Sequence, residues 1–177
     1  MQHIRVYGCA AESVDLNNLG GETARPGGGM MHMWRLDIVA GKCVAEVDMA
    51  PLSCDFAQIP ADMVGRPNRY CYAANFCAGF SIDAVVKFDV QAGTHTIHRY
   101  SEGNPGTQVF GGESVFARRG TDGEDDGWLL SFVYGEKRCA SESALEIVDA
   151  KTMRRVARVA MPNRVPGGFH AYWKPAE

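Results

Sequence analysis

Residues 34–42, WRLDIVAGK, and residues 86–94, VKFDVQAGT, read alike. Apolar positions flank an aspartate, Asp37 or Asp89, and an Ala-Gly pair follows, Ala40-Gly41 or Ala92-Gly93. A looser third copy, LEIVDAKTM, surrounds Asp149. Each copy is followed by a second β-like run: KCVAEV, THTIHRY and RRVARVAM. The pattern predicts a strand, a turn and a returning strand. The Asp carboxylate caps backbone amides of the turn, and Gly takes its left-handed position. Asp37 to Asp89 is 52 residues and Asp89 to Asp149 is 60. Repeats near 50 residues with several short strands each point to propeller blades. The chain holds about three, fewer than the ~4 to 8 that close a ring.

Outward from these copies, β signals dominate. MHMWRLDIV, CVAEVDM, RYCYAANF, AVVKFDV, THTIHRY, SVFARR, WLLSFVYG, ALEIVDA and RRVARVAM are rich in β-branched and aromatic residues, with Gly, Pro, Asp and Asn between them. No stretch keeps apolar residues at helical spacing over three turns, so the class is all-β. The 177 residues, 46% hydrophobic and 22% charged, suit a folded domain rather than a disordered chain. A formal net charge of −3 gives no reason to expect nucleic acid. No apolar run approaches the ~20 residues of a membrane-spanning helix. The start, MQHIRVYGCAAESVDLNN, lacks the apolar region of a signal peptide.

Cysteines stand at 9, 43, 54, 71, 77 and 139 with no C-x-x-C, which excludes zinc ribbons and thioredoxin-like motifs. They read as reduced, buried thiols of an intracellular protein; three disulfides in a secreted domain is the alternative. GGETARPGGGMM lacks a phosphate-cradling pattern and reads as a flexible connection. TDGEDDGW has calcium-like acids, but Val133 stands where the bidentate Glu is needed, so it reads as a solvated hairpin tip. No G-x-S-x-G elbow marks a hydrolase. His95 and His98 fall on opposite faces of one strand and cannot chelate together. His3 and His32 stand alone, and all four read as exposed or singly hydrogen-bonded. His170, in PGGFHAYWKPAE and read as lying on the last strand, is either core or one ligand of a metal.

Several blocks together carry a resemblance. EDDGWLLSFVY, the LEIVDAKTM…VARVAMPNRVP run and the terminal GFH with a following Trp resemble the C-terminal part of the carotenoid oxygenases, in order and spacing. That family includes carotenoid cleavage dioxygenases, stilbene-cleaving enzymes and the retinal pigment epithelium isomerase. CDFAQIPADMVGRPNRYCYA resembles the family's acidic-Phe-x-x-Ile segment leading to Gly-Arg-Pro-x-Arg-Tyr. GGESVFARR is similar to its Gly-Glu-x-x-Phe-x-x-Arg strand. The resemblance covers residues 30 to 175.

It implies the C-terminal three or so blades of a seven-bladed β-propeller, occupying residues 1–177, with the upstream blades absent. It implies a non-haem Fe(II) held on the axis by four histidines, with O2 as co-substrate. His170 would be the last ligand, pointing at the axis. Glu113 would orient it, a surface ion pair of Glu113 with Arg118 or Arg119 being the alternative. Asp55, where the family has Glu, would orient the third histidine. Phe169 and Trp173, with Tyr172, would give apolar surface to the substrate. That substrate would be a carotenoid, an apocarotenoid or a stilbene-like phenylpropanoid, cleaved at a conjugated C=C bond into two carbonyl products. The other three histidines should precede this chain, which by itself would be inactive. Ala171 stands where the family has Gly, and Gly167 replaces an aromatic. The expected setting is intracellular, in cytoplasm or plastid, with peripheral membrane contact in the full-length parent. The alternative is a non-catalytic propeller piece or pseudoenzyme serving as an interaction scaffold.

Overall fold

The computed structural model describes residues 2–13, 27–103, 108–135, 143–168 and 170–174. Eleven strands form among them: β1 (His3–Ala10), β2 (Gly29–Asp37), β3 (Lys42–Gln58), β4 (Tyr70–Ala78), β5 (Ser81–Asp89), β6 (Thr94–Arg99), β7 (Val109–Gly111), β8 (Val115–Arg118), β9 (Gly127–Gly135), β10 (Ser143–Asp149) and β11 (Arg154–Ala160). One 3-10 turn, Ala61–Met63, is the sole helical element among the described residues. The nine expected runs are all strands, and β1 and β7 are additional.

All pairings are antiparallel, in one path β1-β2-β3-β4-β5-β7-β9-β10-β11, with β6 on β5 and β8 on β9. Among the described residues the path does not close. The 17-residue β3 carries the sheet onward, pairing with β2 through Cys54 and with β4 from Cys54 to Gln58. The three-residue β7 makes the other link, touching β5 at Ile82–Gly111 and β9 over three pairs.

β4 and β5 lie at the centre and are buried on both faces. Tyr72, Ala74 and Phe76 face a core shared with Val85, Tyr100, Leu129 and Val148, whereas Cys71 and Ala73 face Met31, Cys54, Val86 and Phe88. Because both faces are covered, YCYAANFCA shows no alternation of polar residues. Each aliphatic or aromatic side chain so buried contributes roughly 1.5–3 kcal/mol.

The aspartate turns form as expected. Asp37 Oδ1 accepts N–H from Val39 and Ala40, both at 2.9 Å. Asp89 Oδ1 accepts from Gln91 and Ala92 at 3.2 and 3.0 Å, and Asp149 Oδ1 from Lys151 and Thr152 at 3.1 and 2.8 Å. The Arg69 guanidinium, with these amides, holds the Asp89 carboxyl down at about 2. Gly41 and Gly93 sit at φ +65° and +68°; in the third copy Met153 takes φ +56° instead, its side chain buried. A Cβ on Gly93 would meet nothing within 4 Å, so only conformation opposes it. Gly93→Ala is therefore expected to cost about 1 kcal/mol in urea unfolding; an unchanged midpoint would contradict this.

Three local expectations are corrected. The acidic loop is an anchor, not a solvated tip: Asp125 and Asp126 are buried. Asp125 Oδ2 accepts from Lys87 Nζ at 2.6 Å, and Glu124 accepts the Arg69 and Tyr70 amides at 2.7 Å each. A composition rich in Asp and Gly predicts a turn but not what that turn plugs into. Nor is the end of the glycine-rich stretch a flexible connection: Cβ atoms on Gly28 and Gly29 would lie 2.8 Å from Cys54 O and 2.4 Å from Ala10 O. These glycines let neighbouring backbones approach; residues 20–26 lie outside the described residues. Of the thiols, Cys43 and Cys77 are exposed rather than buried. Burial lifts Cys9, Cys54 and Cys71 to about 12, and Cys139 lies outside the described residues.

Candidate metal centre

His170 does not lie on a strand. After β11 the chain runs through Pro162, Pro166, Gly167 and Gly168 in irregular conformation. Proline lacks the amide a ladder needs, and glycine gains least from one. Ser143 Oγ fixes this segment to the start of β10 by accepting the Val165 amide at 3.0 Å.

The segment delivers His170 to Glu113. The Glu113 side chain is 15% exposed, and its Oε2 lies 3.3 Å from His170 Nδ1 and accepts the Ala171 amide at 2.9 Å. A carboxylate in that place accepts a proton from Nδ1, so the neutral ring carries its lone pair on Nε2. Among the described residues Nε2 has no hydrogen-bond partner. The Phe56 ring meets the imidazole edge-on at 5.3 Å between centroids. The imidazole itself is 78% exposed, so within the described residues it is steered but not enclosed.

Glu113 lies in the short link between β7 and β8. The alternative partners suggested by sequence are engaged elsewhere: Arg118 holds Asp62 at 2.6 Å, and Arg119 holds Asp126 and Asp149.

Asp55 stands beside Phe56, in the part of β3 that pairs with β4. Its Oδ1 accepts the Phe56 amide at 2.7 Å, and Phe56 takes φ +56°. An aromatic residue held in the left-handed region carries strain of about 1–3 kcal/mol, and such residues cluster at functional sites. No histidine among the described residues pairs with Asp55. Trp173 and Tyr172 are 44% and 87% exposed, and Phe169 lies outside the described residues. A cavity of about 390 Å³ adjoins the site between Gly111 and Gly167-Gly168, with Phe76, Phe80, Ile82 and Tyr134 on its walls.

The donor set fits one position of an all-imidazole iron site: Nδ1 faces a carboxylate and the ring is exposed on its other side. It does not fit a complete one, since among the described residues no group of three or more metal-binding side chains converges.

The other histidines remain apart from this centre. His32 Nδ1 pairs with Asp48 at 2.7 Å and its ring lies against Trp34. His3 lies 3.6 Å from Asp37. His95 is exposed at the sheet edge. His98 is singly hydrogen-bonded, to Glu146 at 3.1 Å, but is fully buried. Sequence reasoning gave no warning of that burial, because the partner lies 48 residues away.

The sequence profile described as "Retinal pigment epithelial membrane protein" matches residues 6–175. The carotenoid 9,10(9',10')-cleavage dioxygenase 1 of Arabidopsis thaliana is 31% identical over 96% of this chain and 33% of that protein. The apocarotenoid-15,15'-oxygenase of Synechocystis sp. is 32% identical over 80% of this chain and 29% of that protein. The crystal structure of cobalt-substituted Synechocystis ACO superposes with a TM-score of 0.81 at 26% identity, covering 99% of this chain and 37% of that one. The chain thus spans about a third of the length of the relatives it matches.

Proposed function

The chain belongs to the family of the retinal pigment epithelial membrane protein and the carotenoid cleavage dioxygenases, and from that premise we propose that it forms the C-terminal part of an Fe(II)-dependent double-bond-cleaving dioxygenase. In this reading the eleven strands make up about three blades of a seven-bladed propeller, and His170 is one of four imidazole ligands. The other three come from residues outside these 177. The substrate is a carotenoid, an apocarotenoid or a stilbene-like phenylpropanoid. One C=C bond and one O2 give two C=O bonds, so atoms and electrons balance without a further reductant.

The observation that carries this reading is the Glu113–His170–Ala171 arrangement. A ligating imidazole must be neutral and of one tautomer, and an acid accepting the Nδ1 proton fixes both. When bound, ferrous iron supplies the one-electron chemistry that lets O2 react with a closed-shell double bond. This chain's residues hold and orient one ligand. The cavity wall is mixed, with Arg164 on it, and its Phe76, Phe80 and Ile82 side chains would offer apolar surface to a polyene. No helix among the described residues is long and apolar enough to cross a membrane. Peripheral membrane contact of the parent, and an intracellular setting in cytoplasm or plastid, belong to the same proposal. The scaffold alternative is not favoured, since both relatives above are oxygenases by name.

Two measurements test it. The 177-residue chain is expected to bind Fe(II) no more tightly than its His170→Ala variant, because one imidazole cannot hold the ion; tight stoichiometric binding lost on substitution would overturn the shared-ligand reading. In a chimera, residues 6–175 replace the matching third of the Synechocystis oxygenase. Cleavage of an apocarotenoid is expected there, and is expected to vanish on His170→Ala. Undiminished cleavage by that variant would refute the ligand role.

A further inference from the structure

The residues around Glu113 are fixed from one side chain. Tyr100 is fully buried beyond β6, and its ring fills the space over Gly111, where a Cβ would fall 2.5 Å from Cε2. Its hydroxyl reaches Ser114 Oγ at 3.2 Å and Ser131 Oγ at 3.1 Å, and the two serine oxygens lie 2.5 Å apart. Ser114 and Ser131 are 2% and 3% exposed. Three hydroxyls with three mutual contacts form a closed triangle in which each can donate once and accept once. The remaining flank is held by the Gly112 amide, which donates to Phe132 O at 2.9 Å. Glu113 therefore sits between two immobilised neighbours, and Tyr100 touches both flanks: the ring against Gly111, the hydroxyl against Ser114.

We propose that Tyr100, with Ser114 and Ser131, is a positioning device that sets the Glu113 carboxylate against His170 and so selects the Nδ1–H tautomer of that ring. This rests on the reading of His170 as a ligand, and deepens it by naming residues that touch neither metal nor substrate. The triangle is out of reach of water, so loss of one vertex takes one of two partners from each remaining hydroxyl, with no solvent to replace it, and leaves the link free to shift. The Glu113–Nδ1 separation of 3.3 Å is at the long end for a hydrogen bond, which makes it sensitive to small displacements.

The test reads the ring itself. In the metal-free, 15N-labelled 177-residue chain, imidazole nitrogen shifts report the tautomer of each histidine, with His170 assigned by His170→Ala. Tyr100→Phe and Ser131→Ala are each expected to lower the Nδ1–H to Nε2–H ratio of His170 by roughly fivefold, the equivalent of one hydrogen bond. Glu113→Ala should lower it at least as far. Phe88→Leu, in the opposite core, serves as the control: it should reduce stability while leaving the His170 ratio in place. An unchanged ratio in both Tyr100→Phe and Ser131→Ala, alongside a fall in Glu113→Ala, would overturn the positioning role and leave the ligand reading standing. A ratio unmoved by Glu113→Ala would sink both. A fall equally large in Phe88→Leu would show a generic loss of structure and overturn the specific device.

Discussion

Asp125→Ala is expected to lower the stability of the chain by about 3–5 kcal/mol, because it leaves an ammonium group buried without its counter-charge. Lys87 Nζ lies 2.6 Å from Asp125 Oδ2, and the two side chains are 8% and 12% exposed. The remaining partners of Nζ are Ala150 O at 2.9 Å, Lys151 O at 3.4 Å and, at 4.0 Å from the ring centroid, Tyr70. These are dipolar or quadrupolar and cannot neutralise a charge. For a chain of this size, such a loss lowers Tm by about 6–20 °C. The double variant Lys87→Met/Asp125→Leu should recover much of the loss, since removing both charges removes the desolvation cost as well. Urea unfolding measures both. A single-variant loss below about 1 kcal/mol, the range of exposed ion pairs, would mean that the ammonium finds water.

The second large effect lies at Glu146, which is fully buried in β10. It accepts from His98 Nε2 at 3.1 Å and from Arg158 Nε at 2.5 Å, with Arg155 at 3.7 Å. Burial alone pushes its carboxyl up, but the hydrogen bonds from His98 and Arg158 and the charges of Arg158 and Arg155 together hold it below the usual carboxylate range. A carboxyl depressed on folding contributes stability that is complete above its unfolded pKa, about 4.3. That contribution fades as pH falls through the folded value. Glu146→Gln is thus expected to cost about 3–5 kcal/mol near neutral pH, with the gap to the unsubstituted chain narrowing in acid, below the unfolded pKa of about 4.3. Thermal unfolding across that range decides it. A gap that stays constant in acid would show that shape, not charge, is what Glu146 provides.

Both groups illustrate what the sequence left unread. Glu146 looks like an ordinary polar position in LEIVDAKTM, and Asp125 looks like one acid among several in an acidic loop. What buries them is pairing over 48 residues in one case and 38 in the other, and no local pattern records such a distance. β7 escaped notice for a related reason: three residues are too short for periodicity to register. β1 carries a polar-flanked histidine and arginine and only one paired side. The exposure of Cys43 and Cys77 follows from their places near a strand entry and a strand end, which composition does not resolve.

The sequence by itself determined the strands and their turns, because these depend on residues within four or five positions of one another. Period-two and apolar runs, an aspartate two and three residues before the amides it caps, and a glycine at the left-handed position are local physics. It also supplied, through resemblance, the candidate pair His170 and Glu113. Only the tertiary structure decided that the chain leaves the sheet before His170 reaches that acid, that Phe56 packs on the imidazole from a left-handed backbone, and that three hydroxyls from separate segments meet beside the link carrying Glu113. Those contacts join residues up to 114 positions apart, Phe56 to His170. Side-chain hydrogen bonds and ring contacts over such spans exist only once the backbone has brought their carriers together.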